Sequence, residues 1–398
     1  MAPFIRRVAS QFPALVLTGP RQAGKTTLLR GLFADSHRYA TLDDPAVRAQ
    51  ALADPALFLA RYKPPVILDE VQYAPDLLHA VKLDIDANRR DRGRFLLTGS
   101  QTFPLMRGVV ESLAGRAATL SLQSFSIRET LGVEATGGTW RDALEQAANR
   151  PCGIDDLARH IVVGGYADPA LGRVDPAVWH ASYVQTTLER DVRGLRAVGD
   201  LGEFQRFLGV IAARTGGLLN TADVARDVGI SAKTVTAWVD VLVASGQAVV
   251  VRPWFENIGK RLVKHPKVYF TDTGTLAWLL GARRPDDALQ GVAAGALFET
   301  AVLGALLRMI IHRGETARIH FWRTSDGHEV DFVIEDGQTL TPIEAKLTAT
   351  PNRRDADAIV RLQELLGDRV GKGYVVCACA ERHALAQRID ALPLGAFG

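Results

Sequence analysis

Residues 15–30 read Leu-Val-Leu-Thr-Gly-Pro-Arg-Gln-Ala-Gly-Lys-Thr-Thr-Leu-Leu-Arg, and this stretch decides the fold. Its first three residues are apolar and predict a buried strand, and the residues after Thr26 predict a helix. Between them, Gly19–Thr26 matches the pattern G-x-x-x-x-G-K-[ST] of a phosphate-binding loop at every fixed position. A glycine-rich turn that matched this pattern by chance would not be expected to lie between a predicted strand and a predicted helix. The stretch therefore predicts a nucleoside triphosphate site.

The residues of this loop have expected roles. Glycines allow backbone N–H groups to approach the phosphates, and the helix that follows adds partial positive charge. The ammonium of Lys25 would reach the β- and γ-phosphates, and the hydroxyl of Thr26 would bind Mg²⁺. The predicted nucleotide-binding residues are Gly19, Pro20, Arg21, Gln22, Ala23, Gly24, Lys25, Thr26 and Thr27.

The second half of the predicted site is the segment Pro-Val-Ile-Leu-Asp-Glu at 65–70, an apolar strand that ends in two acids. Asp69 is expected to hold Mg²⁺, directly or through water, and Glu70 to polarise the attacking water as general base. An apolar run that ends in Asp-Glu is common by itself. Its position downstream of a phosphate-binding loop is what favours these roles.

Two further positions complete the predicted site. A strand within residues 93–101 ends in Thr98-Gly99-Ser100, and parallel sheets present ligand-facing groups at the carboxyl ends of strands. We expect Ser100 to sense the γ-phosphate; the alternatives are Thr98, or that both are only turn residues. Arg116 could reach the γ-phosphate of its own site or, as an arginine finger, that of a neighbouring subunit. A surface ion pair is its structural alternative.

The middle of the chain predicts a winged helix-turn-helix. Thr221 begins one helix, Gly229 turns the chain, and Ser231 caps a second helix. Two strands follow and would form the wing. A basic wing beside the second helix would contact DNA phosphates, although such modules also pack against protein. The predicted nucleic-acid-binding residues are Lys233, Arg252, Lys260, Arg261, Lys264 and Lys267.

The last third of the chain predicts an acidic centre. Asp331, Glu344 and Lys346 form the pattern D-x12-E-x-K; alternation puts Glu344 and Lys346 on one strand face, and a hairpin brings Asp331 beside them. With Glu299 from the preceding helix, these acids could bind a second Mg²⁺ or Mn²⁺, and Lys346 could activate water for phosphodiester attack. An ion pair between Lys346 and one acid is the structural alternative. The pattern resembles the PD-(D/E)xK nuclease superfamily, in which many domains bind nucleic acid without cutting it.

Composition sets broad limits. The 398 residues are 47% hydrophobic and 23% charged, which is ordinary for a globular protein of two or three domains. A net charge of +3 is too small to argue for a polyanion partner, so any basic surface must be local. Three cysteines form no disulfide framework, which favours a reducing cytosol. With no signal-like leader and no apolar stretch approaching ~18 residues, we expect neither secretion nor a membrane span.

Four motifs together carry a family resemblance: Leu-Thr-Gly-Pro-Arg-Gln-Ala-Gly-Lys-Thr-Thr, Val-Ile-Leu-Asp-Glu-Val-Gln, Leu-Leu-Thr-Gly-Ser-Gln and Ser-Leu-Ala-Gly-Arg. With them, the chain resembles a prokaryotic family of AAA-type ATPases with a C-terminal domain of unknown function. The resemblance implies ATP as the nucleotide and Mg²⁺ as its metal ion. It also implies an α/β multidomain protein with three parts: an AAA-type ATPase domain with a helical lid at 1–198, a winged helix at 199–285 and a restriction-endonuclease-like domain at 286–398.

One functional hypothesis and two alternatives follow. ATP hydrolysis would drive remodelling of DNA or translocation on it, as in helicases and branch-migration enzymes, by a ring-like homo-oligomer in the cytoplasm. An arginine finger that acts between subunits requires such an assembly. The first alternative is a nucleotide-operated signalling switch with little DNA contact. The second is an ATP-gated, metal-dependent DNA nuclease.

Overall fold

The structure is a computed structural model that describes residues 1–99, 112–133, 137–188, 201–255, 265–324 and 326–397. The chain forms two compact units. The first consists of Met1–Ser124, Ala244–Gly246 and Ile311–Gly314. The second consists of Phe125–Val243, Gln247–Ile310 and Glu315–Gly398.

The first unit is built on a five-stranded parallel sheet. Its strands are β1 (Ala14–Thr18), β2 (Arg38–Thr41), β3 (Val66–Asp69), β4 (Phe95–Thr98) and β5 (Ala117–Ser121). Their spatial order is β2-β3-β4-β1-β5, so β4 lies between β1 and β3. Leu96 of β4 is paired with Leu15 on one side and with Ile67 on the other. Because the strands are parallel, the carboxyl ends of β1, β3 and β4 meet at one edge of the sheet.

Both faces of this sheet are buried. Ala14 and Val16 of β1 pack in one apolar cluster, whereas Leu15 and Leu17 pack in another. A strand covered on both sides reads as a continuous apolar run rather than an alternating one, which is the pattern seen in the sequence. The described helices of this unit are α1 (Ala2–Ala9), α2 (Lys25–Phe33), α3 (Pro45–Ala53), α4 (Pro55–Arg61) and α5 (Leu77–Ala87), with a 3₁₀ turn at Val71–Tyr73.

The second unit has an α-helical part and a large sheet. Its described α-helices are α6 (Ile127–Thr130), α7 (Trp140–Gln146), α8 (Ile154–Val163), α9 (Ala167–Ala170), α10 (Pro176–Tyr183), α11 (Leu201–Ala213), α12 (Thr221–Val228), α13 (Ala232–Ala244), α14 (Thr273–Leu279), α15 (Pro285–Gln290), α16 (Ala294–Ile311) and α17 (Asp357–Leu366). A π-helical turn, Val184–Leu188, continues α10, and 3₁₀ turns lie at Arg353–Ala356 and Gly367–Arg369.

Helices α12 and α13 are joined by a short turn at Gly229, and both begin at the caps that the sequence predicts. The Asn220 side chain accepts hydrogen bonds from the first turn of α12, and Gly229 ends that helix with a φ of 87°. Ser231 Oγ then accepts the hydrogen bond from the backbone N–H of Thr234 that caps α13. Trp238 of α13 packs edge-on against Phe204, so a shared apolar core holds the helices together.

The sheet of the second unit has eight strands: β6 (Ala248–Pro253), β7 (Lys267–Phe270), β8 (Arg318–Arg323), β9 (Glu329–Asp336), β10 (Thr339–Lys346), β11 (Gly373–Cys377), β12 (His383–Ala386) and β13 (Ile389–Pro393). Their spatial order is β12-β13-β11-β10-β9-β8-β6-β7. Strands β6 and β7 are antiparallel. Cys377 and Cys379 are buried free thiols at the end of β11.

The two units do not coincide with the three expected domains. Strand β6, expected in a separate winged helix, pairs with β8, where Arg252 lies opposite His320. Residues 125–188, expected within the ATPase domain, belong to the second unit, and Trp140 and Leu157 are buried in its core. An unpaired strand edge is costly, so β6 gains hydrogen bonds by joining the sheet. Such pairing between distant segments leaves no local sequence pattern.

Helix α16 is a long, apolar helix. By length and composition it is the one helix among the described residues that could cross a membrane, contrary to the expectation that no apolar stretch comes near that length. However, 72% of this stretch is buried inside the protein. It carries Glu299 and Arg308. Burying charged side chains such as these is costly unless polar groups compensate for the charge. Its burial explains the apolar composition.

Candidate functional site

The loop between β1 and α2 turns through left-handed backbone conformations. Positive φ angles occur at Gly19 (139°), Gln22 (62°) and Gly24 (89°). Gly19 also has no room for a side chain, because a Cβ there would lie 2.1 Å from the carbonyl oxygen of Leu122. Turns of this kind let neighbouring N–H groups converge on an anion. The other residues predicted to bind nucleotide lie in the same loop and the first turn of α2: Pro20, Arg21, Ala23, Lys25, Thr26 and Thr27.

Backbone carbonyl groups of the phosphate-binding loop hold the ammonium of Lys25 in place. Lys25 is 5% exposed, and its Nζ donates hydrogen bonds to the carbonyl oxygens of Gly19 (3.0 Å) and Pro20 (2.8 Å). These acceptors are neutral, and bonds from the same ammonium to anionic phosphate oxygens would be stronger. The geometry therefore holds a positive charge where the terminal phosphates of a nucleotide would lie.

Asp69, at the end of β3, accepts hydrogen bonds from side-chain hydroxyls on both of its oxygens. Thr26 donates to Oδ1 at 2.6 Å, and Thr98 donates to the same oxygen. Tyr39 (3.0 Å) and Thr41 (3.3 Å) donate to Oδ2. Burial raises the pKa of Tyr39 to about 12, and the nearby Asp69 carboxylate adds to the shift. A hydroxyl and a carboxylate held together fit the oxygen ligands that Mg²⁺ takes beside bound phosphates.

Thr98 links the two acids of the site. Its fully buried hydroxyl donates to Asp69 and accepts the backbone N–H of Glu70 at 3.2 Å. Ser100, the predicted γ-phosphate sensor, lies outside the described residues. In the sequence, the signal that points to Thr98 is its position at the end of β4. That strand's place between β1 and β3 is a property of the folded sheet.

Glu70 has an uncommon backbone conformation. Its φ of 57° and ψ of 46° lie in the left-handed region, which only a few per cent of non-glycine residues adopt. The Gln72 amide donates a hydrogen bond to Glu70 Oε2. Gln72 is a site residue that sequence reasoning missed, although it lies only two residues after Glu70 in the motif Asp-Glu-Val-Gln. Backbone and amide together aim the Glu70 carboxylate, which a general base requires.

Arg116 lies where the parallel strands begin, at the end of the sheet opposite to the phosphate-binding loop. Its carbonyl oxygen accepts the backbone N–H of Ala14, the first residue of β1, whereas the phosphate-binding loop follows the last residue of that strand. A strand of this length spans roughly 16 Å. The Arg116 guanidinium pairs with both carboxylate oxygens of Asp86, at 2.9 and 3.0 Å. The option that Arg116 reaches the γ-phosphate of its own site is therefore wrong, because the strand separates them.

A second group of predicted residues meets in the second unit. Asp331 of β9 and Glu344 of β10 are neighbours on antiparallel strands. The backbone N–H of Ala345 donates to Asp331 Oδ2 at 2.9 Å, and Asp331 N–H donates weakly to Glu344 Oε2 at 3.4 Å. Lys346 Nζ lies 2.8 Å from Glu344 Oε1. The structure thus brings the three motif residues together and contains the ion pair named as the structural alternative.

Glu299 joins this region through a different set of contacts. Its Oε1 accepts the hydroxyl of Tyr269 at 2.5 Å and lies 3.3 Å from Nζ of Lys267. Lys267 Nζ lies 2.5 Å from Oε1 of Glu329 as well. Because Lys267 is only 3% exposed and paired with two carboxylates, the prediction that it contacts DNA phosphates is wrong. The first residue of β7 faces inward, and the register that turns it inward is not visible in the basic composition of the segment.

The carboxyl groups of Asp331 and Glu344 are harder to ionise than exposed carboxyl groups. Burial raises the pKa of Asp331 well above its usual range, and the carboxylates of Glu344 and Glu299 raise it further. Burial also raises the pKa of Glu344, although the ammonium of Lys346 opposes this. A divalent cation bound to the Asp331 and Glu344 oxygens would favour the ionised forms, so these two carboxylates fit a metal ion.

The three-acid metal site expected from the sequence is not found. In the part of the chain that the structure describes, no group of three or more His, Cys, Asp or Glu residues is arranged to hold a metal ion. Glu299 is engaged by Lys267 and Tyr269 instead. Spacing along the chain could not reveal this, because Lys267 comes from a strand outside the motif.

The remaining predicted nucleic-acid contacts divide into two groups. Lys233, near the start of α13, and Arg252, in β6, are exposed to solvent. Lys260, Arg261 and Lys264 lie outside the described residues. One exposed cation therefore lies on the second helix of the predicted winged helix, and one lies on its strand pair.

Family comparisons agree with this geometry. A family model described as "AAA domain" matches residues 11–131. Two further models match residues 154–286 and 294–397, and both are described as domains of unknown function (DUF8612 and DUF4143).

The chain is also similar to complete proteins. It is 33% identical over 369 residues to the uncharacterized protein Rv2008c of Mycobacterium tuberculosis and to Mb2031c of Mycobacterium bovis, covering 90% of this chain and 76% of each relative. Among solved structures, it resembles the Walker-type ATPase PABY2304 of Pyrococcus abyssi (TM-score 0.40, 14% identity, 70% of this chain and 94% of that one). It also resembles Orc1 of Aeropyrum pernix in complex with DNA (TM-score 0.31, 16% identity, 71% of this chain and 90% of that one).

The parallel sheet, its phosphate-binding loop and the acid pair after β3 define an AAA-type ATPase. At this identity and coverage, the chain belongs to the same family as the two mycobacterial proteins.

Proposed function

We propose that this protein hydrolyses ATP and uses the energy to remodel DNA or to move along it. The observation that carries the ATPase part is the hydrogen-bonded group at the end of β3. Asp69 accepts from Thr26 of the phosphate-binding helix and from Thr98, and Thr98 accepts the N–H of Glu70. One network therefore spans the residues that would hold the metal ion and the residue that would act as base.

In this proposal each residue has one task. Lys25 releases the loop carbonyls and binds the β- and γ-phosphate oxygens. Thr26 and Asp69 hold Mg²⁺, directly or through water; the ion neutralises charge on the phosphates when bound. Glu70 accepts a proton from the attacking water, while the Gln72 amide keeps its carboxylate oriented. Thr98 ties the position of Glu70 to that of Asp69.

The DNA part of the proposal is supported by α11 to α13 and the β6–β7 pair, which we interpret as a winged helix-turn-helix. Lys233 and Arg252 are exposed on the helix and strand that would approach the duplex. Phosphate contacts release counterions, so DNA affinity should fall steeply with salt. Neutralising Lys233 and Arg252 together should flatten the slope by about two phosphate contacts, whereas neutralising exposed Lys63 of the other unit should not.

The test of this function is ATP turnover of the full chain with single-stranded, duplex and branched DNA and without DNA. Strong stimulation by one of these supports a DNA motor and names its substrate. Equal turnover in all four samples contradicts the DNA part and favours a nucleotide-operated switch. We further propose that the ATPase acts as a ring-like oligomer, in which Arg116 would serve a neighbouring site; light scattering with and without ATP tests this.

A second candidate function, metal-dependent cleavage of DNA, is favoured by the acidic centre. Asp331 and Glu344 would hold one Mg²⁺ or Mn²⁺, which supplies charge stabilisation and an activated water when bound. Lys346, 2.8 Å from Glu344, would orient the water or the phosphate. Mn²⁺-dependent cleavage that is lost in Asp331→Asn and Lys346→Ala, with ATP turnover unchanged, would support it. Binding without cleavage would make the centre a nucleic-acid platform.

A further inference from the structure

Helix α16 carries a buried arginine, Arg308, that none of the functions proposed above uses. Arg308 is 8% exposed, and its Nε has no hydrogen-bond partner. In the part of the chain that the structure describes, its guanidinium forms no ion pair and no hydrogen bond. A buried cation without a direct partner is costly. Its surroundings therefore have to be searched for a group or a ligand that compensates for the charge.

Arg308 lines a small cavity in the second unit. The cavity measures about 20 Å³, and one buried water needs roughly 10–15 Å³. It therefore has room for a small molecule or ion but not for a nucleotide. Most of its lining is apolar, which leaves a charge there poorly solvated. Its polar lining consists of Arg308, His160 of α8, Thr273 at the start of α14 and Ser126, which precedes α6.

The polar groups around this cavity can donate hydrogen bonds. A guanidinium has five N–H donors and no acceptor. Burial and, to a smaller extent, Arg308 lower the pKa of His160 to about 4, so its imidazole is neutral at pH 7 and keeps one N–H donor. The hydroxyl oxygen of Ser126 accepts the backbone N–H of Glu129 at 3.2 Å, and this bond does not use the hydroxyl hydrogen. The lining thus offers donors and a positive charge to an occupant.

The backbone of α16 leaves space for the guanidinium. Gly304 lies one turn before Arg308, and a Cβ at this position would lie 3.0 Å from Nη2 of Arg308. Glycine weakens a helix relative to alanine. A glycine at this point of a buried helix therefore fits the space that the Arg308 side chain needs beside the cavity.

Two carboxylates act on Arg308 without contacting it. Glu129 and Asp272 favour its charged form, but burial outweighs them and lowers the pKa of Arg308 below its usual range. Backbone N–H groups donate to both: Ser126 to Glu129 and Gly165 to Asp272, each at 2.8 Å. Neither acid lines the cavity. An anion in direct contact with the guanidinium would be attracted more strongly than these carboxylates repel it, because Coulomb energy falls with distance.

We propose that this cavity binds a small monovalent anion of the halide class, such as chloride. The guanidinium of Arg308 supplies the charge, and the Thr273 hydroxyl and the His160 imidazole supply further hydrogen bonds. The bound anion is the direct counter-charge of Arg308 and stabilises the folded second unit, to which every lining residue belongs. This proposal is independent of the ATPase and DNA functions.

The first test is the melting temperature of the full chain at neutral pH and constant ionic strength, in sodium chloride, sodium bromide and sodium gluconate. Gluconate is too large for the cavity. An anion that binds only the folded state raises the melting temperature, so the wild type should melt about 2–4 °C higher in either halide. Arg308→Met removes the charge and should lose this difference. Arg361→Met, at an exposed position of α17, is the matched control and should keep it.

The second test locates the ion. Crystals of the full chain soaked in sodium bromide should show the anomalous signal of bromine beside the Arg308 guanidinium. A cavity that holds only water in these crystals overturns the proposal, and so do equal halide effects in the wild type and Arg308→Met. Bromide in the crystal without a halide effect in solution means binding at crystal concentration only and overturns it as well.

A milder variant keeps the proposal testable if Arg308→Met does not fold. Thr273→Val preserves the shape of the side chain and removes one hydrogen-bond donor. It should bind halide about tenfold to a hundredfold more weakly, measured as the halide concentration that gives half of the rise in melting temperature. The same halide dependence in Thr273→Val and in the wild type would overturn the proposed site.

Discussion

The hydroxyl of Thr26 donates a hydrogen bond of 2.6 Å to Asp69, which joins the helix after the phosphate-binding loop to the end of β3. Asp69 is 5% exposed and is surrounded by hydroxyl donors, so its carboxylate has little freedom to move. A metal ion that entered here would find an oriented carboxylate and hydroxyl. The residues that surround this bond give the most direct tests of the ATPase proposal.

Lys25→Ala and Glu70→Gln should fail at different steps. Lys25→Ala removes the charge that faces the phosphates and should abolish ATP binding, which calorimetry would measure. Glu70→Gln keeps the size and the hydrogen-bonding capacity of the side chain but cannot accept a proton. It should bind ATP and lose turnover by about 10²- to 10⁴-fold. Turnover by Glu70→Gln equal to that of the wild type would refute Glu70 as the base.

Thr98→Val should weaken turnover without preventing ATP binding. Valine has the shape of threonine but leaves the Glu70 N–H without its acceptor and Asp69 without one donor. We expect a loss of about 1–3 kcal/mol in the free energy of unfolding and a fall in turnover of about tenfold to a hundredfold. Thr119→Val, at the exposed position of β5, is the matched control. Full turnover in Thr98→Val would remove Thr98 from the site.

Arg116 and Asp86 separate an arginine finger from a surface ion pair. Arg116→Ala should bind ATP and, if Arg116 serves a neighbouring subunit, hydrolyse it poorly. Asp86→Ala breaks the same ion pair but leaves the guanidinium in place, so it should retain turnover. Mixing Arg116→Ala with Lys25→Ala should then restore part of the activity. If Asp86→Ala and Arg116→Ala behave alike and no mixture recovers, the ion pair is structural.

The stability of the second unit should depend on pH through His160. Burial and, to a smaller extent, the nearby Arg308 guanidinium together lower its pKa from 6.5 to about 4. In the unfolded chain the imidazole binds a proton below 6.5, whereas in the folded chain it stays neutral down to about 4. The stabilisation is therefore complete above pH 6.5 and is lost as the pH falls to 4, by about 3 kcal/mol.

His160→Gln should remove this part of the pH dependence. Chemical unfolding of the full chain at several pH values between 4 and 7 would measure it, with exposed His383→Gln as the control. The His160 variant should show a flatter profile than both the wild type and the control. Identical slopes in all three proteins would show that His160 is accessible to protons in the folded state.

Local patterns were sufficient for part of the fold. The β1 run, the loop and α2 follow from residues 15–30 because a phosphate-binding loop needs particular residues at short range. The capped helices α12 and α13 were predicted for the same reason, since Asn220 and Ser231 act within a single turn. Local patterns were not sufficient for the limits of the compact units, because the pairing of β6 with β8 joins segments that lie far apart along the chain.

By itself, the sequence determined the chemistry that each stretch can carry: a phosphate-binding loop, an Asp-Glu pair after a buried strand, and two acids with a lysine in the second unit. Only the tertiary structure decided which side chains share a site. The order of the sheet put Thr98 beside Asp69, placed Arg116 at the opposite edge from the loop, and turned Lys267 inward toward Glu299 and Glu329. The physical reason is that residue type and short-range spacing act within a few residues, whereas strand order and register arise from burial and hydrogen bonding across the whole unit.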